Sequence, residues 1–115
     1  MYNYTKLGES EVEFIDIVPA DQLPLGERLF MEILGRSVVV FNVAGELFAI
    51  ADVCSHDDGP VGEGNLEGLA ITCPRHGAKF DLRSGKVLQM PAAVDISAYP
   101  VRVVGGTIQL GLPKE

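Results

Sequence analysis

Residues 12–18, Val-Glu-Phe-Ile-Asp-Ile-Val, place apolar side chains against acidic ones in near alternation. That two-residue period belongs to a strand with one face buried. Pro19 to Pro24 interrupts it and leaves room for one helical turn. Arg28 to Leu34 predicts a further strand, Gly35-Arg36-Ser37 a turn, and Ser37 to Val43 the returning strand. Ala44-Gly45-Glu46 is another tight turn, and Leu47 to Ala51 completes the series. Connections this short, each bearing glycine, fit an antiparallel meander of hairpins.

After Val53 the periodicity fades. Residues 54–68 are punctuated by Gly59, Pro60, Gly62, Gly64 and Gly68 and predict a long loop. Leu69 to Thr72 reads as a short strand and Pro74 to Gly77 as a second loop. Lys79 to Leu82 and Lys86 to Leu88 flank a turn at Arg83-Ser84-Gly85. Met90-Pro91 breaks the chain again. The final hairpin runs from Tyr99 to Val104, turns at Gly105-Gly106 and returns over Thr107 to Leu110. No stretch carries the 3.6-residue period of a helix, so the expected fold is all-β, a meander or sandwich. Residues 53–91 would form a small insert of loops and short strands.

Bulk properties narrow the function. A chain of 115 residues suits one domain spanning residues 1–115. Near-half apolar content and positive mean hydropathy describe a folded globule, and thirteen glycines with seven prolines imply frequent turns. The first residues show neither the basic nor the apolar region of a secretory signal. The apolar run Val38-Val39-Val40-Phe41 is far short of a membrane span. A soluble, cytoplasmic protein is expected. A net charge of −7 opposes non-specific contact with nucleic acid or anionic lipid and favours a basic protein partner.

The chemistry lies in four residues. Cys54 and His56 form C-x-H; after sixteen residues, Cys73 and His76 form C-x-x-H. They are the only two cysteines and two histidines of the chain, and both pairs fall in loops where glycine lets the backbone approach a ligand. Two thiolates and two imidazoles are a ligand set for a borderline or soft metal. Four idle side chains, a Cys54–Cys73 disulfide and a catalytic Cys–His pair each fit less well. The cytoplasm is reducing, and no third orienting group accompanies either pair. A structural zinc site is the first rival, although zinc modules usually pair cysteine with cysteine and histidine with histidine. A binuclear centre accounts for the mixed pairs. If both thiolates bind one iron and both imidazoles the other, each loop needs one of each.

Cys54-Ser-His56 and Cys73-Pro-Arg-His76-Gly77, followed by Lys79-Phe80-Asp81 and Ser84-Gly85, resemble the Rieske [2Fe–2S] pattern C-x-H…C-x-x-H-G…F-D…[ST]-G. The resemblance extends to the preceding strands and the run from Val40 to Asp52. It implies the Rieske fold and one [2Fe–2S] cluster. Cys54 and Cys73 would sit on the buried iron, and His56 and His76 on the outer one. Reduction potentials of such centres span roughly −150 to +300 mV. Two ferric ions, two sulfides and two thiolates sum to zero, so an added electron meets less charge than in a four-thiolate cluster.

Rieske proteins that oxidise quinols carry an extra cysteine in each loop, joined as a disulfide, and Gly59 and Arg75 stand at the matching places here. The serine and tyrosine whose hydroxyls bond cluster sulfurs in that branch are replaced by Ala78 and Phe80. Fewer donors, together with Asp57 and Asp58 beside His56, imply a potential low in the range. Asp57 and Asp58 otherwise read as a solvated loop face, Phe80 as core beneath the loop, and Pro91 as either a turn or a loop covering the cluster. The likeness is to the small ferredoxins of ring-hydroxylating dioxygenase systems. These are monomeric one-electron carriers, not enzymes, that link a flavin-dependent ferredoxin reductase to a terminal oxygenase by transient contacts. A small nitrite reductase subunit, or a ferredoxin of another pathway, would share the chemistry. A zinc-binding interaction domain would not.

Overall fold

The computed structural model describes residues 12–53, 61–74, 77–90 and 95–113. Among them are eleven strands and one short 3-10 turn, Ala20–Gln22, which fills the break expected between Pro19 and Pro24. The strands are β1 (Val12–Pro19), β2 (Arg28–Ile33), β3 (Arg36–Val43), β4 (Glu46–Ala51), β5 (Leu66–Glu67), β6 (Ala70–Thr72), β7 (Lys79–Asp81), β8 (Val87–Gln89), β9 (Ala98–Tyr99), β10 (Val101–Val104) and β11 (Thr107–Pro113). They form three sheets with orders β1-β11-β10, β2-β3-β4-β9 and β5-β6-β7-β8. Every pairing is antiparallel. The all-β expectation holds.

Two pairings go beyond hairpins between neighbouring strands. β1 pairs with β11, and β4 with β9, so strands distant in sequence close the first two sheets. Such pairings leave no local sequence trace, because they are set by burial and not by turns. The long loop expected over 54–68 also contains a strand. β5 pairs Leu66 with Ile71 and Glu67 with Ala70 across a turn at Gly68, and two residues are too few to show a period. The turn placed at Gly35-Arg36-Ser37 falls one residue earlier. Ile33 faces Arg36, and Leu34 and Gly35 carry φ of 51° and 77°. A two-residue hairpin matched to strand twist needs positive φ at both central positions.

The middle sheet explains the apolar run. Val38, Val39, Val40 and Phe41 are all buried because both faces of β3 are covered. Val38 and Val40, with Ala49 and Ala51 of β4, pack toward Ile108, Leu110 and Leu112 of β11. Val39 and Phe41, with Phe48 and Ile50, pack toward Ile71, Phe80 and Leu82 on the third sheet. The register pairs Val38 with Ala51 and Val39 with Ile50, so alternate residues feed two separate cores. An alternating strand covered on one side becomes a continuous apolar strand when covered on both.

Candidate functional site

The third sheet positions the candidate site. Thr72 of β6 faces Lys79 of β7, and Lys79 faces Gln89 of β8. Thr72 N–H also donates to Asn65 O at 2.9 Å. Cys73, Ala78, Met90 and Gly64 therefore stand at one end of this sheet. From that end the chain runs into 75–76 and 91–94. The segment 54–60 rejoins the described chain at Val61, which packs with Cys73, Ala78 and Phe80.

Of the four ligand candidates, Cys73 lies within the described residues, while Cys54, His56 and His76 lie outside them, as do Asp57, Asp58, Gly59, Pro60, Arg75 and Pro91. Among the described residues no three of His, Cys, Asp and Glu stand together as a metal-binding group. Cys73 is 1% exposed. Its N–H donates to Ala78 O at 2.6 Å, and its carbonyl accepts Gly77 N–H at 3.1 Å. Those two bonds tie Cys73 directly to Gly77 and Ala78. Gly77 takes φ of 82°, a conformation a side chain would strain. Gln89 Nε2 donates to Gly77 O at 2.9 Å and ties Gly77 to β8.

Cys73 lies deep among Val61, Ala78 and Phe80, and a sulfur ligand there would need a metal cation to compensate its charge. The donor chemistry thus fits a metal centre bound at the inner side. Ala78 and Phe80 are both fully buried and offer no hydroxyl, which accords with the reading of Phe80 as core.

The rest of the motif supports the turn that follows. Asp81 Oδ1 accepts Arg83 N–H at 3.1 Å, and Ser84 Oγ donates to Asp81 Oδ2 at 3.4 Å. Gly85 N–H donates to Asp81 O at 2.7 Å, and Gly85 O accepts Ile96 N–H at 2.9 Å. A Cβ on Gly85 would drive into the carbonyl of Ile96, so glycine is required by close approach as well as by its φ of 75°.

Contacts of three charged side chains escaped the sequence reading. Asp52 Oδ1 accepts the N–H groups of Val61 at 3.1 Å and Gly62 at 2.7 Å. Arg28 Nη1 donates to Gly62 O at 2.5 Å and Gly64 O at 2.9 Å. Asp95 Oδ1 accepts Val87 N–H at 2.8 Å. Each fastens a flank of a segment near the candidate site. An aspartate two residues ahead of the first cysteine was the one sequence signal available.

The chain is similar to known proteins. A family model described as the Rieske [2Fe–2S] domain matches residues 13–100. The chain is similar, at 43% identity over 84% of its length and 91% of the relative's, to a 3-phenylpropionate/cinnamic acid dioxygenase ferredoxin subunit of Shigella flexneri serotype 5b (strain 8401). Its structure is similar to the ferredoxin of carbazole 1,9a-dioxygenase from Nocardioides aromaticivorans IC177, with a TM-score of 0.79 and 31% identity, covering 88% of this chain and 98% of that one. A chain in a complex of reduced oxygenase and oxidized ferredoxin in carbazole 1,9a-dioxygenase is also similar. That match has a TM-score of 0.80 and 25% identity, and covers 89% of this chain and 95% of that one.

Proposed function

The chain belongs to the Rieske [2Fe–2S] domain family, and on that premise we propose that it is the ferredoxin of a ring-hydroxylating dioxygenase system, an electron carrier and not itself an enzyme. The observation that carries this reading is the near end-to-end similarity to a dioxygenase ferredoxin subunit, 91% of whose length is covered. Residues 1–115 work as a single domain, with about 53–91 as its cluster-binding part.

Cys54 and Cys73 would hold one iron of the cluster, and His56 and His76 the other. When bound, the cluster supplies one-electron chemistry and no bond-making step. The chain's own residues set the conditions for it. Cys73 anchors the inner side behind an apolar wall of Val61, Ala78 and Phe80 that excludes water. Backbone bonds tie Cys73 to Gly77 and Ala78, the two residues that follow His76 in sequence. Without hydroxyl donors at Ala78 and Phe80, the reduced state is less stabilised and the potential is low for this kind of centre.

A terminal Rieske oxygenase is the electron acceptor, consistent with the ferredoxin–oxygenase complex among the similar structures. A flavin-dependent ferredoxin reductase is the donor, and the protein is a cytoplasmic monomer. No helix among the described residues is long and apolar enough to cross a membrane. The acidic balance of the chain, −7 overall, suits brief electrostatic encounters with basic protein surfaces and not with nucleic acid.

Anaerobic purification tests the reading. The expected product is reddish-brown, contains iron and labile sulfide in equal amounts, and gives a rhombic electron paramagnetic resonance signal on reduction. Cys73→Ala abolishes that signal. Mixed with NADH and a flavin reductase, the protein is reduced, and a ring-hydroxylating oxygenase reoxidises it. A colourless protein holding zinc and no sulfide would end the proposal.

A further inference from the structure

We propose that Asp52 and Arg28 are positioning residues for the cluster, pinning the far end of the segment that carries Cys54 and His56 to the strand from which it departs. The inference rests on the ligand assignment proposed above. Asp52 follows β4 directly and precedes Cys54 by two residues. Its own N–H donates to Ser37 O of β3 at 2.9 Å, so the anchor is fixed to the middle sheet. One carboxylate oxygen then receives both Val61 N–H, at 3.1 Å, and Gly62 N–H, at 2.7 Å. Hydrogen bonds to an ionised acceptor are about twice as strong as neutral ones.

Arg28 completes the arrangement from β2. Its guanidinium lies 5.0 Å from the centroid of the Phe41 ring and donates to the carbonyls of Gly62 and Gly64. Gly62 therefore has its N–H engaged by one charged side chain and its C=O by another. A larger residue at this position would force its neighbours to shift. A Cβ there would lie 2.8 Å from Phe30 Cε2, 2.9 Å from Asp52 Oδ1 and 2.9 Å from Val39 Cγ1.

The scaffold has little need of this clip. Closing a connection of this length carries a small entropic cost that changes slowly with length, and the strands beneath are already packed. A metal centre has a stricter need, because its ligands must be held to within about 0.5 Å and 10–20°. Two charged side chains, one on β2 and one just after β4, converge on the backbone at Val61, Gly62 and Gly64 and meet that need.

The test uses full-length protein, reconstituted anaerobically, with two readouts: the rate at which a chelator bleaches the cluster, and the g-values of the reduced cluster. Asp52→Ala should bleach about tenfold faster with shifted g-values, the loss expected for hydrogen bonds to a charged group. Asp52→Asn keeps an oxygen that accepts both N–H groups while removing the charge, and should stay within about threefold of wild type with its g-values retained. Arg28→Met should bleach faster than wild type, and it alone decides the matter if Asp52→Ala does not fold. Unchanged bleaching and g-values in Asp52→Ala, or in Arg28→Met where that variant decides, overturn the proposal. So does Asp52→Asn as impaired as Asp52→Ala, since the charge and not the bonds would then matter. Wild-type protein that takes up no cluster overturns the ligand assignment and this inference with it, an outcome separate from any difference between variants.

Discussion

β3 and β4 hold their place by burial along their whole apolar stretch, whereas β5 to β8 bury only Ile71 and Phe80 fully and are fastened besides by individual bonds. The middle sheet has paired strands of eight and six residues, and the apolar stretch of each is covered on both faces. The third sheet has strands of two or three residues, too short to rely on one another. Around it Asp52, Arg28, Asp81, Gln89 and Asp95 each fasten a particular backbone group, and Gly64 and Gly85 allow contacts that no other residue permits. Hydrophobic packing tolerates exchange of one side chain for another of like volume, which suits a scaffold. Directional bonds to backbone tolerate almost none, which suits a place where ligands must meet a metal. The molecule separates the two demands into different layers.

Deleting a large side chain from the shared core should break both regions at once. Phe41 is 1% exposed, faces the third sheet and underlies the Arg28 guanidinium. Phe41→Ala should cost about 3–5 kcal/mol of stability. Urea titrations followed by strand circular dichroism and by cluster absorbance should lose both signals at one lowered midpoint. A cluster that outlasts the strand signal would show that the site half stands without the scaffold.

A more selective break is available at Gly64, where an added Cβ would collide with the Thr72 carbonyl. Backbone cannot rotate away as a side chain can, so Gly64→Ala should cost about 1–3 kcal/mol through displaced chain. That cost should be local. Hydrogen exchange should accelerate at Thr72, whose N–H is held by Asn65, while the amides of β3 keep their protection. Equal acceleration in β3 would mean that the two regions unfold as one.

The same division decides how much could be read from sequence. Val12 to Val18, Val38 to Phe41 and Leu47 to Ala51 announce strands because burial repeats along them. The Cys54-Ser-His56 and Cys73-Pro-Arg-His76 pairs announce a metal centre because few other chemistries need that spacing, and the family match over residues 13–100 agrees with it. The pairings of β1 with β11 and β4 with β9 are silent, since contact between distant strands depends on what the intervening chain covers. β5 is silent because two residues have no period. Asp52, Arg28 and Asp95 are silent for a different reason. A side chain bonded to backbone in another element imposes no requirement on its partner's residue type, so Val61 and Val87 carry no mark of the bond. Gly62 and Gly64 read as loop glycines, although their lack of a side chain answers to contacts with Val39 and Thr72.

Electronic tuning can be examined where packing is already understood. Ala78 is fully buried beside Cys73. Ala78→Ser adds a hydroxyl to a site with few other polar groups, so the hydroxyl gains most by donating to a cluster sulfur. One such bond, of about 0.5–1.5 kcal/mol, would raise the midpoint potential by roughly 20–60 mV in a one-electron couple. Voltammetry of the two proteins measures the difference. An unchanged midpoint with lowered stability would place the hydroxyl away from the cluster and remove Ala78 from the account of the low potential.

The smallest effect lies at the tip of the β2–β3 hairpin, where the scaffold breaks its own rule. Leu34 is 75% exposed and takes φ of 51°, so it gains little from burial and strains its backbone. Left-handed conformation costs an ordinary side chain about 1–2 kcal/mol, and asparagine tolerates it better. Leu34→Asn should therefore raise stability by about 0.5–1 kcal/mol, visible as a higher urea midpoint at unchanged slope. Three residues along, Ser37 O receives the Asp52 N–H, so the hairpin borders the anchor proposed for Cys54 and His56. If β3 isolates that anchor from its own turn, the reduced cluster of Leu34→Asn keeps the wild-type g-values. A shift in those values together with the gain in stability would mean that strain at the tip reaches Asp52, and the boundary between packed scaffold and bonded site would then run through β3 itself.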